Sequence, residues 1–155
     1  MCFWDARNRL LLAGDQVLPR TVVAVHEPQG PHDDPLGGYL DSLDRLEGLH
    51  PDEVLPAHEQ RFTDLPARLA ELRSHHLARI EAAVQALRAG PATAWEIAGR
   101  LSRRGTLEGL RGFALHVSVS RALALLARLR RLGLAEARPG PPTCWALVPF
   151  TGHDR

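Results

Sequence analysis

Lysine is absent from this sequence of 155 residues, because all 19 basic side chains are arginine. A bias this uniform reflects the nucleotide composition of the source more readily than selection at any one position, so it indicates no function. Only two cysteines occur, Cys2 and Cys144, at opposite ends of the chain and without a CxxC spacing. Neither a disulfide framework nor a cysteine-based zinc site is therefore expected.

Long apolar runs are also missing. No stretch approaches the roughly 18 uninterrupted apolar residues of a membrane span, and Asp5, Arg7 and Arg9 stand where a signal peptide needs an apolar segment. We therefore expect a cytoplasmic protein without membrane contact. Hydrophobic residues at 45% and charged residues at 24% are ordinary for a globular chain, and the length allows one domain or two small ones.

Charge is divided unevenly along the chain, although the formal net charge is only +1. Residues 1–72 hold 13 acidic side chains against 6 arginines, whereas residues 100–138 hold 9 arginines against 2 acidic side chains. The two parts therefore differ in electrostatic character.

The first part alternates short apolar runs with one helical pattern. Residues 2–4 and 10–13 flank a polar turn and are predicted to form two strands, and residues 54–56 a third. Asp34 followed by Pro35 predicts the N-cap of a helix that ends near Gly48. A further β-branched run lies at 21–25, and residues 27–34 are predicted to form a loop. This alternation is typical of an α/β layered domain.

The second part is predicted to contain helices followed by a hairpin. A continuous helical pattern covers residues 65–87, the sequence from Thr93 to Glu96 is a capping box, and a further helix covers residues 113–132 and ends at Gly133. Residues 134–138 and 143–148 flank a Pro-Gly-Pro-Pro turn. Three helices and a hairpin in this order predict an α+β winged-helix domain. We expect residues 1–72 and 73–155 to form separate domains, with residues 151–155 as a frayed tail.

Two polar residues follow predicted strands directly. Asp15 comes after the strand at 10–13, and His58 follows the strand at 54–56, so rigid backbone would hold a carboxylate and an imidazole at neighbouring strand ends. Such oxygen and nitrogen ligands suit zinc, iron or manganese. The competing interpretation is that Asp15 caps a turn and that His58 is a solvent-facing loop histidine.

Around these two residues the sequence resembles the metallo-β-lactamase-fold hydrolases, in particular the branch with a C-terminal winged-helix domain that includes the β-lactamase-like protein 2 group. The segments that carry the resemblance are residues 11–19, 34–46, 54–58, 72–79 and 90–98. Their order and spacing also agree with that branch, over most of the chain. The resemblance therefore implies a partial αββα metallo-β-lactamase fold in the first part.

The same resemblance implies a site with two divalent metals, zinc first and iron or manganese as alternatives. Asp15 corresponds to the carboxylate that bridges both ions, and His58 corresponds to the last histidine ligand. In the complete family site, a bridging hydroxide attacks an ester, thioester, amide or phosphodiester bond. The resemblance therefore implies a small-molecule substrate or RNA as the partner.

This sequence departs from the family pattern in two ways. The HxHxDH motif, which normally precedes this region and supplies most ligands, occurs nowhere, and the histidine expected just before Phe3 is absent. Ala57 and Glu59 replace the glycines that usually flank the last histidine. We therefore expect the C-terminal part of such a hydrolase, inactive alone, with an exposed apolar sheet face that favours self-association or a complementing N-terminal half.

The remaining histidines and Glu59 are less informative. Adjacent helical residues point about 100° apart, so His75 and His76 are expected to serve packing or polar contacts rather than to grip one ion. Glu59 is either a proton shuttle beside His58 or, as we favour, a solvated carboxylate. His26, His32 and His50 fall in predicted loops and suggest no role.

The arginine-rich second part provides a competing function, that of a nucleic-acid-binding winged-helix protein. Its candidate phosphate contacts are Arg103, Arg104, Arg128 and Arg131, because binding without sequence specificity requires little more than clustered cations. The alternative, which we favour, is a solvated helix face that docks on acidic residues.

Overall fold

The computed structural model describes residues 1–30 and 32–149, which contain six strands and four helices. In chain order the elements are β1 (Phe3–Asp5), β2 (Leu10–Gly14), α1 (Pro35–Glu47), β3 (Glu53–Pro56), α2 (Leu65–Arg88), β4 (Ala92–Thr93), α3 (Ala94–Arg100), α4 (Gly112–Arg131), β5 (Ala135–Arg138) and β6 (Cys144–Leu147). They divide into two compact units, Met1–Ala24 with Gly38–Leu77, and Val25–Gly37 with the chain from Ala78 onward. Helices α1 and α2 each contribute to both units. The predicted division at residues 72 and 73 stays a prediction.

The first unit contains a three-stranded sheet in the order β1-β2-β3. Strand β1 runs antiparallel to β2 across the predicted polar turn, whereas β2 and β3 run parallel. Because side chains alternate between the two faces of a strand, Leu11 of β2 and its partner Val54 of β3 point to one face, where both are fully buried. The core of this unit also contains Leu43, Leu65, Leu69 and Leu72.

Local signals determine where helix α1 begins. The Asp34 carboxylate accepts a hydrogen bond from the Gly37 amide at 2.8 Å, which confirms the predicted N-cap. A Cβ on Gly37 would collide with the Asp34 carboxylate, so a larger residue there would displace the capping side chain. The predicted strands and the predicted end of the helix before Gly48 are also confirmed. The β-branched run at 21–25 forms no strand.

The second unit has its own sheet, in the order β4-β6-β5, with all pairs antiparallel. The capping box at Thr93 is present, because its hydroxyl accepts from the Glu96 amide and the Glu96 carboxylate accepts from the Thr93 amide. Gly133 ends α4 with a φ of 71°, as predicted. The helices and the hairpin therefore match the predicted elements, while their assignment to the winged-helix class stays a prediction. Residues 151–155, the predicted tail, lie outside the described residues.

Among the described residues, α4 is the one helix long and apolar enough to cross a membrane by length and composition. The helix packs against α3 and β5, and its fully or nearly buried residues include Leu126 and Leu129. Core helices of globular proteins can have the same length and composition.

Candidate metal centre

Asp15 stands at the point where β2 leaves the sheet. Gly14, the last residue of β2, has a φ of 56°, a left-handed conformation that glycine adopts without strain. Its carbonyl accepts a hydrogen bond from the Ala57 amide at 3.0 Å, one residue beyond β3. Because β2 and β3 are parallel neighbours, this bond joins the two strands at the same edge of the sheet and brings residues 15 and 58 together.

His58 lies in a tight reversal that follows β3. Val54 and Phe62 form an isolated antiparallel bridge, with hydrogen bonds of 2.7 and 3.2 Å, so the chain between them closes on the outer side of β3. The Nδ1 atom of His58 lies 2.6 Å from Oδ1 of Asp15. Both side chains are accessible, with 71% of His58 and 55% of Asp15 exposed. The predicted proximity at neighbouring strand ends is confirmed, and the role of the pair as metal ligands stays a prediction.

Glu59 lies in this reversal and connects it to the chain that follows β2. Its φ of 69° is the conformation that a glycine normally provides, so the turn forms here without the glycine. The carboxylate accepts hydrogen bonds from the Arg20 amide at 3.0 Å and from the Thr21 hydroxyl. The Thr21 hydroxyl is the main cause that lowers the pKa of Glu59 below its ordinary value. Both carboxylate oxygens of Glu59 therefore accept hydrogen bonds from residues 20 and 21. This arrangement favours neither of the two predicted roles, a proton shuttle or a purely solvated carboxylate.

Helix α1 supports the segment that follows Asp15. The Tyr39 hydroxyl donates to the Gln16 carbonyl at 3.2 Å, and the Gln16 side chain donates to the Ser42 hydroxyl. Burial, the largest effect, raises the pKa of Tyr39 to about 12, against the opposing charge of Arg68. No role for Tyr39 was predicted from the sequence, because its hydroxyl meets a carbonyl that lies 23 positions earlier in the chain.

The rings beneath this segment are packed closely. Tyr39 meets the buried His76 edge-on, with 5.0 Å between the ring centroids, and His75 meets His76 in a similar way. The expected packing role of His76 is consistent with this contact.

Arg68 holds the chain beyond Asp15 from the other side. It lies on α2, is buried, and donates to the carbonyl oxygens of Leu18 at 2.7 Å and Thr21 at 2.9 Å. A third bond, at 2.8 Å, goes to Glu71. Without Arg68 the two carbonyls would lose charged donors, which are the stronger kind of hydrogen-bond partner. The Asp15 side of the centre is therefore supported by two helices.

The chemistry of Asp15 and His58 fits a divalent metal, because a carboxylate and an imidazole are common zinc, iron and manganese ligands. Their exposure and direct contact let one ion replace the hydrogen bond between them. Among the residues that the structure describes, no third metal-ligating side chain groups with this pair. Since a catalytic zinc normally has three protein ligands, the pair is an incomplete ligand set.

The predicted phosphate contacts occupy two different environments. Arg103 and Arg104 are exposed in the turn after α3, and Arg131 is exposed at the end of α4. Arg128 instead forms an ion pair with Asp34 at 2.8 Å, and only 23% of its side chain is exposed. Three of the four arginines are therefore accessible, while Arg128 is engaged within the protein.

A family model described as "Metallo-beta-lactamase superfamily" matches residues 1–58, which include Asp15 and His58. Among curated proteins, the lactamase-like protein adaB of Aspergillus niger is 33% identical over 87 residues, or 56% of this chain and 25% of that protein. The atrochrysone carboxyl ACP thioesterase of Aspergillus chevalieri is 32% identical over 88 residues, or 57% of this chain and 26% of that protein. The chain thus spans about a quarter of the curated relatives it matches.

Two solved structures are similar over nearly the whole chain. A β-lactamase domain protein from Burkholderia ambifaria aligns with a TM-score of 0.86 and 32% identity, covering 95% of this chain and 44% of that one. A metallo-β-lactamase family protein from Thermus thermophilus aligns with a TM-score of 0.78 and 31% identity, with the same coverage of both chains. The mixed α/β structure therefore resembles part of these folds.

The burial of the Tyr39 hydroxyl predicts how the stability of the protein depends on pH. Tyr39 is the only tyrosine in the sequence, so its ultraviolet titration is free of other phenols. We expect its ionisation near pH 12 in the folded protein and near pH 10 in the unfolded protein. Because the folded pKa is the higher one, its contribution to stability is complete below pH 10 and is lost as pH rises towards 12.

The matched control is Tyr39→Phe, which keeps the ring and removes the ionisable group. Denaturant unfolding of this variant should lose less stability between pH 10 and 12 than unfolding of the parent protein. A phenol that titrates near pH 10 in the folded protein would contradict the buried contact.

Proposed function

We propose that this chain is the Asp15 and His58 portion of a metal-dependent hydrolase of the metallo-β-lactamase superfamily, whose family model matches residues 1–58. Two divalent ions, zinc first and iron or manganese as alternatives, would be held with further ligands from outside the described residues. When bound, such ions would lower the pKa of a bound water and stabilise the developing oxyanion. Asp15 would bind both ions, and His58 would bind one.

The observation that carries this proposal is the 2.6 Å contact between Asp15 Oδ1 and His58 Nδ1. The two residues are 43 positions apart, yet the pairing of β2 with β3 places them side by side at an accessible edge. Parallel strands whose carboxyl ends carry polar side chains commonly form ligand sites in open α/β sheets. The contact therefore supports a shared role better than a turn cap and an independent loop histidine.

We propose an ester-like substrate, with a thioester as the first candidate and a phosphodiester as the alternative. The thioester is supported by the name of one relative, the atrochrysone carboxyl ACP thioesterase, which this chain matches over 26% of that protein. Acyl transfer and phosphoryl transfer both place negative charge on an oxygen in the transition state, so one metal pair suits either class.

The sheet of the first unit supports a role for a second polypeptide segment. Phe3 and Leu12 are paired across β1 and β2, so they share one face, where they are 62% and 45% exposed. Apolar side chains that cluster on an uncovered sheet face favour association. We propose that a complementing N-terminal half covers this face, with self-association as the alternative.

The proposal is tested with a chimera that restores the uncovered part of the family fold. The chimera joins two pieces. The segment of the Burkholderia ambifaria protein that does not align with this chain is fused ahead of it. Hydrolysis of thioester and aryl ester substrates by the chimera is then measured with zinc or manganese. We expect activity in the chimera and none in the 155-residue chain alone, because two ligands are too few for a catalytic zinc.

Two matched aspartate variants of the chimera test the residue assignment. Asp15→Ala should lower kcat/KM by more than about 100-fold, the upper range for losing even an outer partner of a metal ligand. Asp41→Ala, which removes an exposed carboxylate on α1, should leave it unchanged. Full activity in the Asp15 variant would refute the ligand role, and Asp15-dependent hydrolysis by the unfused chain would refute its expected inactivity.

A second candidate function is nucleic-acid binding by the second unit, which we propose as a winged helix. The observation in its favour is the exposure of Arg103, Arg104 and Arg131 in a part of the chain where basic residues predominate. Contacts of this kind with phosphates are independent of sequence and weaken steeply as salt increases.

Fluorescence anisotropy with short RNA and DNA duplexes tests this candidate. If the exposed arginines bind phosphates, a triple alanine variant at 103, 104 and 131 should reduce affinity and lower the salt slope by about 1 for each lost contact. Replacing Arg7, an exposed arginine in the turn between β1 and β2, is the control. No binding at low ionic strength would rule the candidate out.

A further inference from the structure

A second group of metal-ligating side chains lies in the second unit and is not part of the Asp15 and His58 centre. One ligand atom each from His26, Glu27 and His116 lies within 4.8 Å of the other two. His26 and Glu27 belong to the irregular segment before α1, and His116 lies on α4. Sequence spacing does not reveal this group, because about 90 positions separate Glu27 from His116.

Backbone contacts fix the position of this group. The Glu27 amide donates to the Ser120 hydroxyl at 2.9 Å, and Ser120 is only 2% exposed. Ser120 follows His116 by four residues, so the two side chains lie on the same face of α4. The bond therefore holds Glu27 over the turn of the helix that carries His116.

A second anchor holds the same segment farther along α4. Asp34 forms its ion pair with Arg128, about two turns beyond Ser120, and both side chains are mostly buried. Glu27 and Asp34 are thus both attached to one helix. Loops fixed in this way hold ligands with little loss of conformational entropy when an ion binds.

Glu27 supplies an independent sign that a cation belongs here. Its Oε2 atom is buried and has no hydrogen-bond partner in the described part of the chain. A buried carboxylate oxygen without a partner is costly, because water is lost and no donor replaces it. An ion held between Glu27 and the two histidines would satisfy this oxygen.

We propose that His26, Glu27 and His116 bind one divalent transition metal ion of the zinc class. Two imidazoles and one carboxylate form a ligand set found in zinc sites, and three protein ligands leave coordination positions open. Calcium and magnesium fit less well, since they take oxygen ligands almost exclusively and two of the three donors here are nitrogen. The site is independent of the proposed hydrolytic centre and would tie the segment before α1 to α4.

The test uses the full chain with the first centre removed, as an Asp15→Ala, His58→Ala double variant. Zinc is titrated by calorimetry, and cobalt is titrated by its visible absorption, whose intensity reports the coordination geometry of the bound ion. We expect one ion per chain and a rise in the thermal midpoint with zinc, because the ion binds the folded state. When His116→Ala or Glu27→Gln is added to this double variant, zinc binding should weaken more than tenfold and the rise in the thermal midpoint should be lost.

The matched control in the same background is His50→Ala, which removes an exposed histidine outside the group and should leave zinc affinity unchanged. Circular dichroism of each variant without metal checks that the fold is kept. If one of the variants unfolds, His26→Ala removes a different ligand at an exposed position and replaces that variant in the test. Absence of zinc binding in the background variant would overturn the proposal. Binding that persists undiminished without His116 and Glu27 would overturn it equally.

Discussion

Parallel pairing between β2 and β3 is the constraint on which the rest of the first unit depends. Parallel strands cannot be joined by a tight turn, so the chain between them must make a crossover, and α1 lies in this connection. The same pairing brings both carboxyl ends to one edge of the sheet. A bond from the Ala57 amide to the Gly14 carbonyl joins the two residues that directly precede His58 and Asp15. A slip of one residue in this register would separate the two side chains.

The surroundings of the pair show how a small structure keeps an exposed site in place. Tyr39 holds the Gln16 carbonyl, Arg68 holds the backbone at Leu18 and Thr21, and Glu59 joins the His58 reversal to the same stretch. Exposed carboxylate and imidazole groups thus rest on backbone that is fixed by the buried donor Arg68, the half-buried donor Tyr39 and the exposed acceptor Glu59. This division suits a ligand site, because accessible side chains need rigid support to bind in one geometry.

Sequence reasoning succeeded where the determining contacts are local. The Asp34 N-cap, the Thr93 capping box and the Gly133 helix end each depend on residues within about four positions, and all three are present. The proximity of Asp15 and His58 was also predictable, since both follow short apolar runs that were expected to be neighbouring strands. The β-branched run at 21–25 forms no strand, because strand formation requires a pairing partner that local composition does not reveal.

Contacts between distant positions were beyond the reach of sequence alone. Glu59 reaches Arg20 and Thr21 across nearly forty positions. The group formed by Glu27 and His116 spans a greater distance still, and His26 carried no signal in its loop. Arg128, predicted as a phosphate contact, is paired with Asp34 by the same kind of long-range packing. Such pairs are determined by tertiary structure rather than by spacing along the chain.

We propose that Asp15 and His58 are metal ligands that the sheet brings together. The most direct measurement is anomalous diffraction from crystals of this chain grown with excess zinc, since high concentration compensates for the incomplete ligand set. We expect an anomalous scatterer at coordination distance, about 2.0–2.2 Å, from a carboxylate oxygen of Asp15 and a ring nitrogen of His58. A direct hydrogen bond between the two side chains that persists at saturating zinc, with no scatterer at either, would contradict the claim.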